Sequence, residues 1–218
     1  MKGSKPPPSR RKTGRPLSFD RHAALERAML TFWQHGYETT SIVDLTTAMG
    51  VTAPSLYSAF GDKKRLFLEA ARLYAGDPEV MAGEIRGAPT AYDAANAMLT
   101  SAAIAFTGEA TPKGCLLASA TASGSAEARD VQGEIAGIRK SIAASLEARI
   151  HSDVANGALP GATDAAALAG LIMAVVQGMS VLARDGASRS SLLGIVSAAL
   201  AAWPKADGAC GCPDRDDG

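Results

Sequence analysis

Cysteine, histidine and aromatic residues are all scarce in this chain, and each scarcity removes a class of protein. Cys115, Cys210 and Cys212 are the only three cysteines among 218 residues, too few and odd in number to form a disulfide framework. Cys210 and Cys212, in a Gly/Asp-rich tail, have the spacing of a soft-metal or redox pair, but the further ligands of such a site are missing. Cys115 reads as a buried, inert thiol, with thiol sensitivity as the alternative. The three histidines, His22, His35 and His151, are scattered. With no metal-ligand pair, serine elbow or phosphate-cradling glycine loop, catalysis is not expected, nor is any cofactor or metal. Aromatics are only 5% of the sequence, and the 47% apolar share is mostly Ala and Leu. That balance favours packed helices over sheets, and the expected fold class is all-α.

The formal net charge is zero, but it is unevenly divided. Residues 1–75 hold 12 Lys and Arg against 6 Asp and Glu, while residues 76–218 hold 10 basic and 16 acidic residues. One half suits a polyanion and the other does not. The first sixteen residues carry six basic side chains, four prolines and no acid, the composition of a disordered basic arm. No apolar run follows the positive residues, so the arm is not a secretory signal, and the expected location is the cytoplasm.

Helical periodicity starts at Leu25, with Ala28, Met29, Phe32 and Trp33 on the same stripe. Ser18 is the expected N-cap of this first helix and Gly36 its stop. Ser41 can cap a second helix running to Met49, with Asp44 three positions on. Gly50 suits a tight turn, and Thr52 can cap a third helix through Phe60. Two short helices joined by a glycine-bearing turn make a helix-turn-helix. Asp62 re-caps the chain for a fourth helix marked by Leu66, Phe67, Ala70, Leu73 and Tyr74. Its first turn, Lys63-Lys64-Arg65, opposes the helix dipole, and a negatively charged partner would reverse that sign.

Beyond Gly76-Asp77-Pro78 the pattern stays helical. Ala91 to Phe106 form one amphipathic face and Val131, Ile135, Ile138, Ile142 and Leu146 another, with a loop entering a helix near Leu116 between them. Two strongly apolar helices close the chain, Ala165 to Arg184 capped by Asp164, and Ser190 to Trp203 stopped by Pro204. Gly170, Ala174 and Gly178, at four-residue spacing, read as a close helix–helix contact rather than a lipid-facing span. The chain thus divides into a basic arm (1–16), a three-helix helix-turn-helix domain (17–75), a second helical region joined through the connecting fourth helix (76–204), and a flexible tail (205–218).

The third helix begins with unusually small side chains. In a helix-turn-helix the second helix enters the major groove with its first residues at the base edges. Ala53, Pro54 and Ser55 allow close approach, Pro54 being tolerated because first-turn amides lack intrahelical partners. Thr40, Thr52, Ser55, Tyr57 and Lys63 are candidate phosphate contacts. Ala53, Pro54, Ser55 and Ser58 are candidate base readers, through thymine-methyl contacts and hydroxyl hydrogen bonds. Leu56 and Phe60 face the core. Arg15, held extended by Pro16, has the form of a minor-groove insert. Each also has a structural reading: capping for Thr40 and Thr52, half-burial for Tyr57, a solvated face for Lys63-Lys64.

The segment TTSIVDLTTAMGVTAPSLYSAFGDKKRLFLEA resembles the DNA-binding segment of the tetracycline-repressor (TetR) family, through the Thr40, Gly50, Leu56-Tyr57, Phe60 and Lys63 positions. The resemblance implies a homodimer that presents two recognition helices to successive major grooves and is joined by the last two helices of each subunit. It implies Tyr57 and Lys63 as phosphate contacts and Ala53 to Ser55 facing bases. Ala59 departs from the pattern, because many members carry a histidine or tyrosine before the phenylalanine. The function so implied is a ligand-responsive regulator, a repressor by family, released from a palindromic DNA operator by a small molecule. A pocket near Met98, Phe106 and Met173 would suit an apolar or weakly polar effector, although such stripes also read as plain core. The alternative function is a helix-turn-helix head used against another protein.

Overall fold

A computed structural model describes residues 19–119 and 126–205, and among these the regular structure is helical throughout. The helices are α1 (Arg21–His35), α2 (Ile42–Met49), α3 (Ala53–Phe60), α4 (Lys63–Ala75), α5 (Pro78–Gly87), α6 (Ala91–Phe106), α7 (Leu116–Ser119), α8 (Ala126–Ala155), α9 (Ala165–Arg184) and α10 (Arg189–Ala201). The basic arm with Arg15, the cap expected at Ser18, and Cys210 and Cys212 lie outside the described residues.

Most helix ends follow from side chains within three positions of them. The Ser41 hydroxyl accepts from the Asp44 amide, and the Asp44 carboxylate accepts from the Ser41 amide at 2.8 Å, a complete capping box. Gly50 turns the chain at φ 67° and ψ 35°, a left-handed conformation that favours glycine. Thr52 caps α3, Asp62 caps α4 and Asp164 caps α9, each accepting an amide three residues on. Two expected boundaries are corrected. The N-cap of α1 is Asp20, whose carboxylate accepts from the His22 and Ala23 amides. The last helix starts at Arg189 under a Ser188 cap and ends at Ala201. Asp77, which accepts from the Glu79 amide, starts the separate helix α5 in the stretch where periodicity gave no boundary.

Packing then builds two linked bundles. In the head, α1 lies against α2 and α4, and α3 against α2 and α4. Phe32, Leu45, Leu56, Leu66 and Phe67 are fully buried there, with Phe32 and Phe67 edge to face at 5.0 Å between centroids. In the second bundle, α8 packs on α9 and α5, and α6 on α9 and α10, around Leu99, Ile135, Leu146, Ile150, Ile172 and Met179. Helix α4 belongs to both, touching α7 and α8 as well as α1.

The most apolar helix, α9, is long and apolar enough to cross a membrane. One of its faces is buried against α6, α8 and α10. The other exposes Leu171 (47%), Val181 (56%) and Leu182 (41%) beside Gly170, Ala174 and Gly178.

Candidate nucleic-acid interface

Helix α3 is anchored by its apolar side and open on the other. Leu56 and Phe60 are buried, whereas Thr52, Pro54, Tyr57 and Ser58 are exposed and Ala53 and Ser55 are partly so. The Thr52 and Ser55 hydroxyls lie 2.9 Å apart, and the Ser55 amide reaches the Thr52 oxygen at 3.4 Å. Both hydroxyls thus stand at the exposed N-terminus of the helix, where unpaired amides and the dipole favour an anion. Tyr57 remains 49% exposed despite its aromatic ring.

Lys63 stands beside this helix. Its ammonium lies 4.7 Å from the centroid of the Tyr37 ring and donates to the Glu38 carbonyl at 3.2 Å, so a buried aromatic face and a fixed dipole hold the charge at the rim of the head. The rest of the basic run separates. Lys64 Nζ meets the Asp130 carboxylate of α8 at 2.8 Å, and Arg65 is exposed beside Asp62 at 4.0 Å. The cations that would oppose the α4 dipole are therefore offset by carboxylates of the same chain. Hydrogen bonding and charge from Lys64 pull the Asp130 carboxyl below its ordinary value, and Asp130 correspondingly raises Lys64.

Thr40 is placed otherwise than expected. It is 1% exposed and its hydroxyl donates to the Gly36 carbonyl at 2.6 Å, satisfying the C-terminus of α1. Its side chain is corrected from a phosphate contact to a cap, because a buried hydroxyl already committed to a carbonyl presents nothing to a duplex.

Two arginines of α1 do work that sequence reading missed. The Arg21 guanidinium donates to the Ala59 carbonyl at 3.3 and 3.4 Å and to Glu69 at 2.7 Å, and lies 4.4 Å from the centroid of the Phe60 ring. Arg27 reaches the Met49 carbonyl at 3.4 Å. Each places positive charge at the C-terminus of a helix-turn-helix element, where the dipole is negative. Their partners lie 38 and 22 positions away, so no local pattern marks them.

A third cluster joins head to second bundle. Trp33 Nε1 donates to the Gly114 carbonyl at 3.1 Å in a buried contact, the Cys115 amide donates to Ser180 Oγ at 2.8 Å, and Arg184 reaches the Cys115 and Trp33 carbonyls at 3.2 and 3.4 Å. The Trp33 ring meets Tyr74 edge to face at 4.8 Å.

Tyr74 and Cys115 also line a cavity of about 420 Å³, with Met98, Phe106, Arg139 and Met173 among its other walls. The three positions expected around a pocket are thus brought together. Burial, reinforced by the Cys115 thiol, pushes the Tyr74 phenol well up, so it is neutral at physiological pH. Cys115 itself is buried, at 6% exposure. No cluster of metal-ligating side chains occurs among the described residues.

Residues 24–70 match the family described as bacterial regulatory proteins, tetR family, and residues 93–192 match the tetracyclin repressor-like C-terminal domain. The chain is 34% identical over 200 residues to the HTH-type transcriptional repressor ComR of Escherichia coli K12, covering 88% of this chain and 92% of ComR. Over 119 residues it is 29% identical to the repressor BdcR of the same organism, covering 54% of this chain and 60% of BdcR. Among solved structures it is similar to a cysteine mutant of the TetR family regulator CifR complexed with 26-bp double-stranded operator DNA. That likeness has a TM-score of 0.81 and 38% identity, covering 88% of this chain and all of that one. With an exposed short-side-chain helix on a three-helix head, a second helical bundle behind it, and ComR and CifR matched over nearly their whole length, this chain belongs to the TetR family of bacterial transcriptional regulators.

Proposed function

We propose that this protein is a DNA-binding transcriptional repressor whose homodimer sets two α3 helices into successive major grooves of an operator and lets go when a small molecule occupies the cavity behind α4. The observation that carries the reading is the exposed Thr52–Ser58 surface, stripped of bulk yet flanked by Tyr57 and by the positioned ammonium of Lys63. The DNA complex of CifR and the repressors ComR and BdcR support it by kinship. The head corresponds to residues 17–75 and the effector and dimerisation domain to 76–204, and the protein acts in the cytoplasm, where the DNA is.

Thr52, Ser55, Tyr57 and Lys63 hold phosphates, while Ala53, Pro54, Ser55 and Ser58 meet base edges. Arg15 is assigned the minor groove on sequence alone. The exposed faces of α9 and α10 meet their symmetry mates, which would cover Leu171, Val181 and Leu182. The route from effector to head runs through Tyr74 and Cys115, which form cavity wall on one side and touch the Trp33–Gly114–Arg184 joint on the other. An effector acts by binding one head spacing better than the other.

Selecting genomic fragments on the purified protein supplies a bound duplex, and fluorescence anisotropy against salt tests the roles. Tyr57→Ala and Lys63→Ala should weaken every duplex, the lysine change lowering the salt slope by about 1. Ser55→Ala and Ser58→Ala should instead alter which duplex is preferred, by about 1–3 kcal/mol per affected base pair. Equal losses on all duplexes from all four changes would refute the division of labour. A binding constant independent of salt would point to a protein partner instead.

A further inference from the structure

We propose that the cavity selects a small apolar acid: one carboxylate received by Arg139, on a hydrocarbon body lying among Met81, Ile85, Met98, Phe106 and Met173. The inference rests on the reading of this cavity as the effector site and adds the chemistry of the occupant.

The walls set the body of the ligand. The cavity is about 420 Å³ and lined mainly by apolar side chains, within the roughly 300–1,000 Å³ typical of small-molecule sites. At protein-like packing it would hold on the order of ten to twenty non-hydrogen atoms. Sugars and nucleotides would lose hydration from many polar groups for which these walls offer few partners. Methionines on three different helices, α5, α6 and α9, make the wall adaptable in shape, which suits a flexible chain or a simple ring.

The polar groups set its head. Tyr74 and Cys115 stand against each other and Tyr74 is neutral, and Ser101 and Gln177 carry no formal charge. Among the described residues, the charged ones lining the cavity are Glu84 and Arg139. Glu84 is exposed on α5, so its carboxylate is solvated at the rim, while Arg139 is partly buried on α8. Arg139 Nη1 donates to the Leu117 carbonyl at 2.9 Å, which ties the guanidinium of α8 to α7. A guanidinium carries five donors in a planar fork that matches a carboxylate, and one carbonyl accounts for one of them. A cation partly shielded from water beside an apolar cavity gains most from an anion that brings apolar surface with it. Leu117 lies two residues beyond Cys115, so a ligand that engages Arg139 bears on the segment that meets Trp33 of the head.

The test uses the full-length protein with three probes of equal chain length, octanoate, 1-octanol and octylamine, read by thermal melting and by release of a bound duplex. Octanoate should act at a concentration at least about tenfold lower than either analogue, the worth of one charge-assisted pair. Arg139→Gln should bring octanoate and octanol level. Arg139→Lys should keep part of the preference, and unchanged duplex affinity without ligand shows that both variants are folded. Octanol or octylamine matching octanoate on the unaltered protein overturns the proposal while leaving the effector reading intact, as does an octanoate preference that survives Arg139→Gln undiminished. If none of the three shifts melting or releases the duplex, the effector reading of the cavity falls, and the acid with it.

Discussion

At Gly114 the backbone adopts φ 78°, and a Cβ there would lie 2.7 Å from the Ser180 carbonyl oxygen and 2.9 Å from Arg184 Cγ. The first neighbour is main chain inside α9 and has no rotamer to move, so an added methyl must displace the loop. Gly114→Ala should therefore destabilise the protein by about 1–3 kcal/mol, from the conformation as well as the clash. In a chain of this size that is a fall in melting temperature of very roughly 2–12 °C, and a melting point unchanged within error would contradict it. The same change should loosen the Trp33 contact and so reduce effector-driven DNA release more than it reduces DNA affinity. Thr40 shows how one residue's role escapes sequence reading. Hydroxyl chemistry suits a phosphate or a carbonyl equally, and only its burial against Gly36 decides between them.

Among the elements, caps were legible because donor and acceptor lie within three residues, as in Ser41 with Asp44 or Asp62 with Arg65. Contacts between helices were not. The Lys64–Asp130 pair spans 66 positions and, with Arg72 and Glu134 at 3.9 Å, clasps α4 to α8. Asp130 is held below its ordinary 3.8, so its contribution is present above that value and lost as pH falls through the lowered one. Lys64 is held above its ordinary 10.5, so its contribution is present below that value and lost as pH rises through the higher one. Across neutral pH the clasp is intact. Because both groups are at the surface, Asp130→Asn should lower stability only slightly, and the difference from the parent should shrink with added salt and vanish in strong acid. Melting curves from acid to neutral pH check this, and a difference that grows as pH falls would be the wrong sign.

For the whole molecule, the exposed side of α9 and α10 is the surface proposed to meet a second subunit. Among the described residues, an added Cβ at Gly170, Gly178 or Gly194 would meet nothing within 4 Å. Their absence of side chain therefore serves no packing among the described residues, although each glycine costs about 1 kcal/mol of helix propensity relative to alanine. Close approach of another backbone in the proposed dimer would account for them. Val181→Asp should leave the head folded but yield monomers in analytical ultracentrifugation, with operator affinity falling by two orders of magnitude or more as the paired heads separate. A dimer of undiminished strength would place the interface elsewhere.

The sequence by itself determined the helices, most of their caps, the helix-turn-helix, the small-residue face of α3 and the apolar closing pair, since each depends on interactions three or four residues apart. The tertiary structure alone decided that Lys64 turns to α8 while Lys63 rests on Tyr37, that Arg21 and Arg27 close the helices of the head, and that Trp33 meets Gly114 across 81 positions. It also decided that Met98, Phe106 and Met173 wall a cavity, Phe106 while also buried in the core. These facts turn on which faces meet when amphipathic helices pack, and one-dimensional periodicity marks a face as apolar without saying what it will touch.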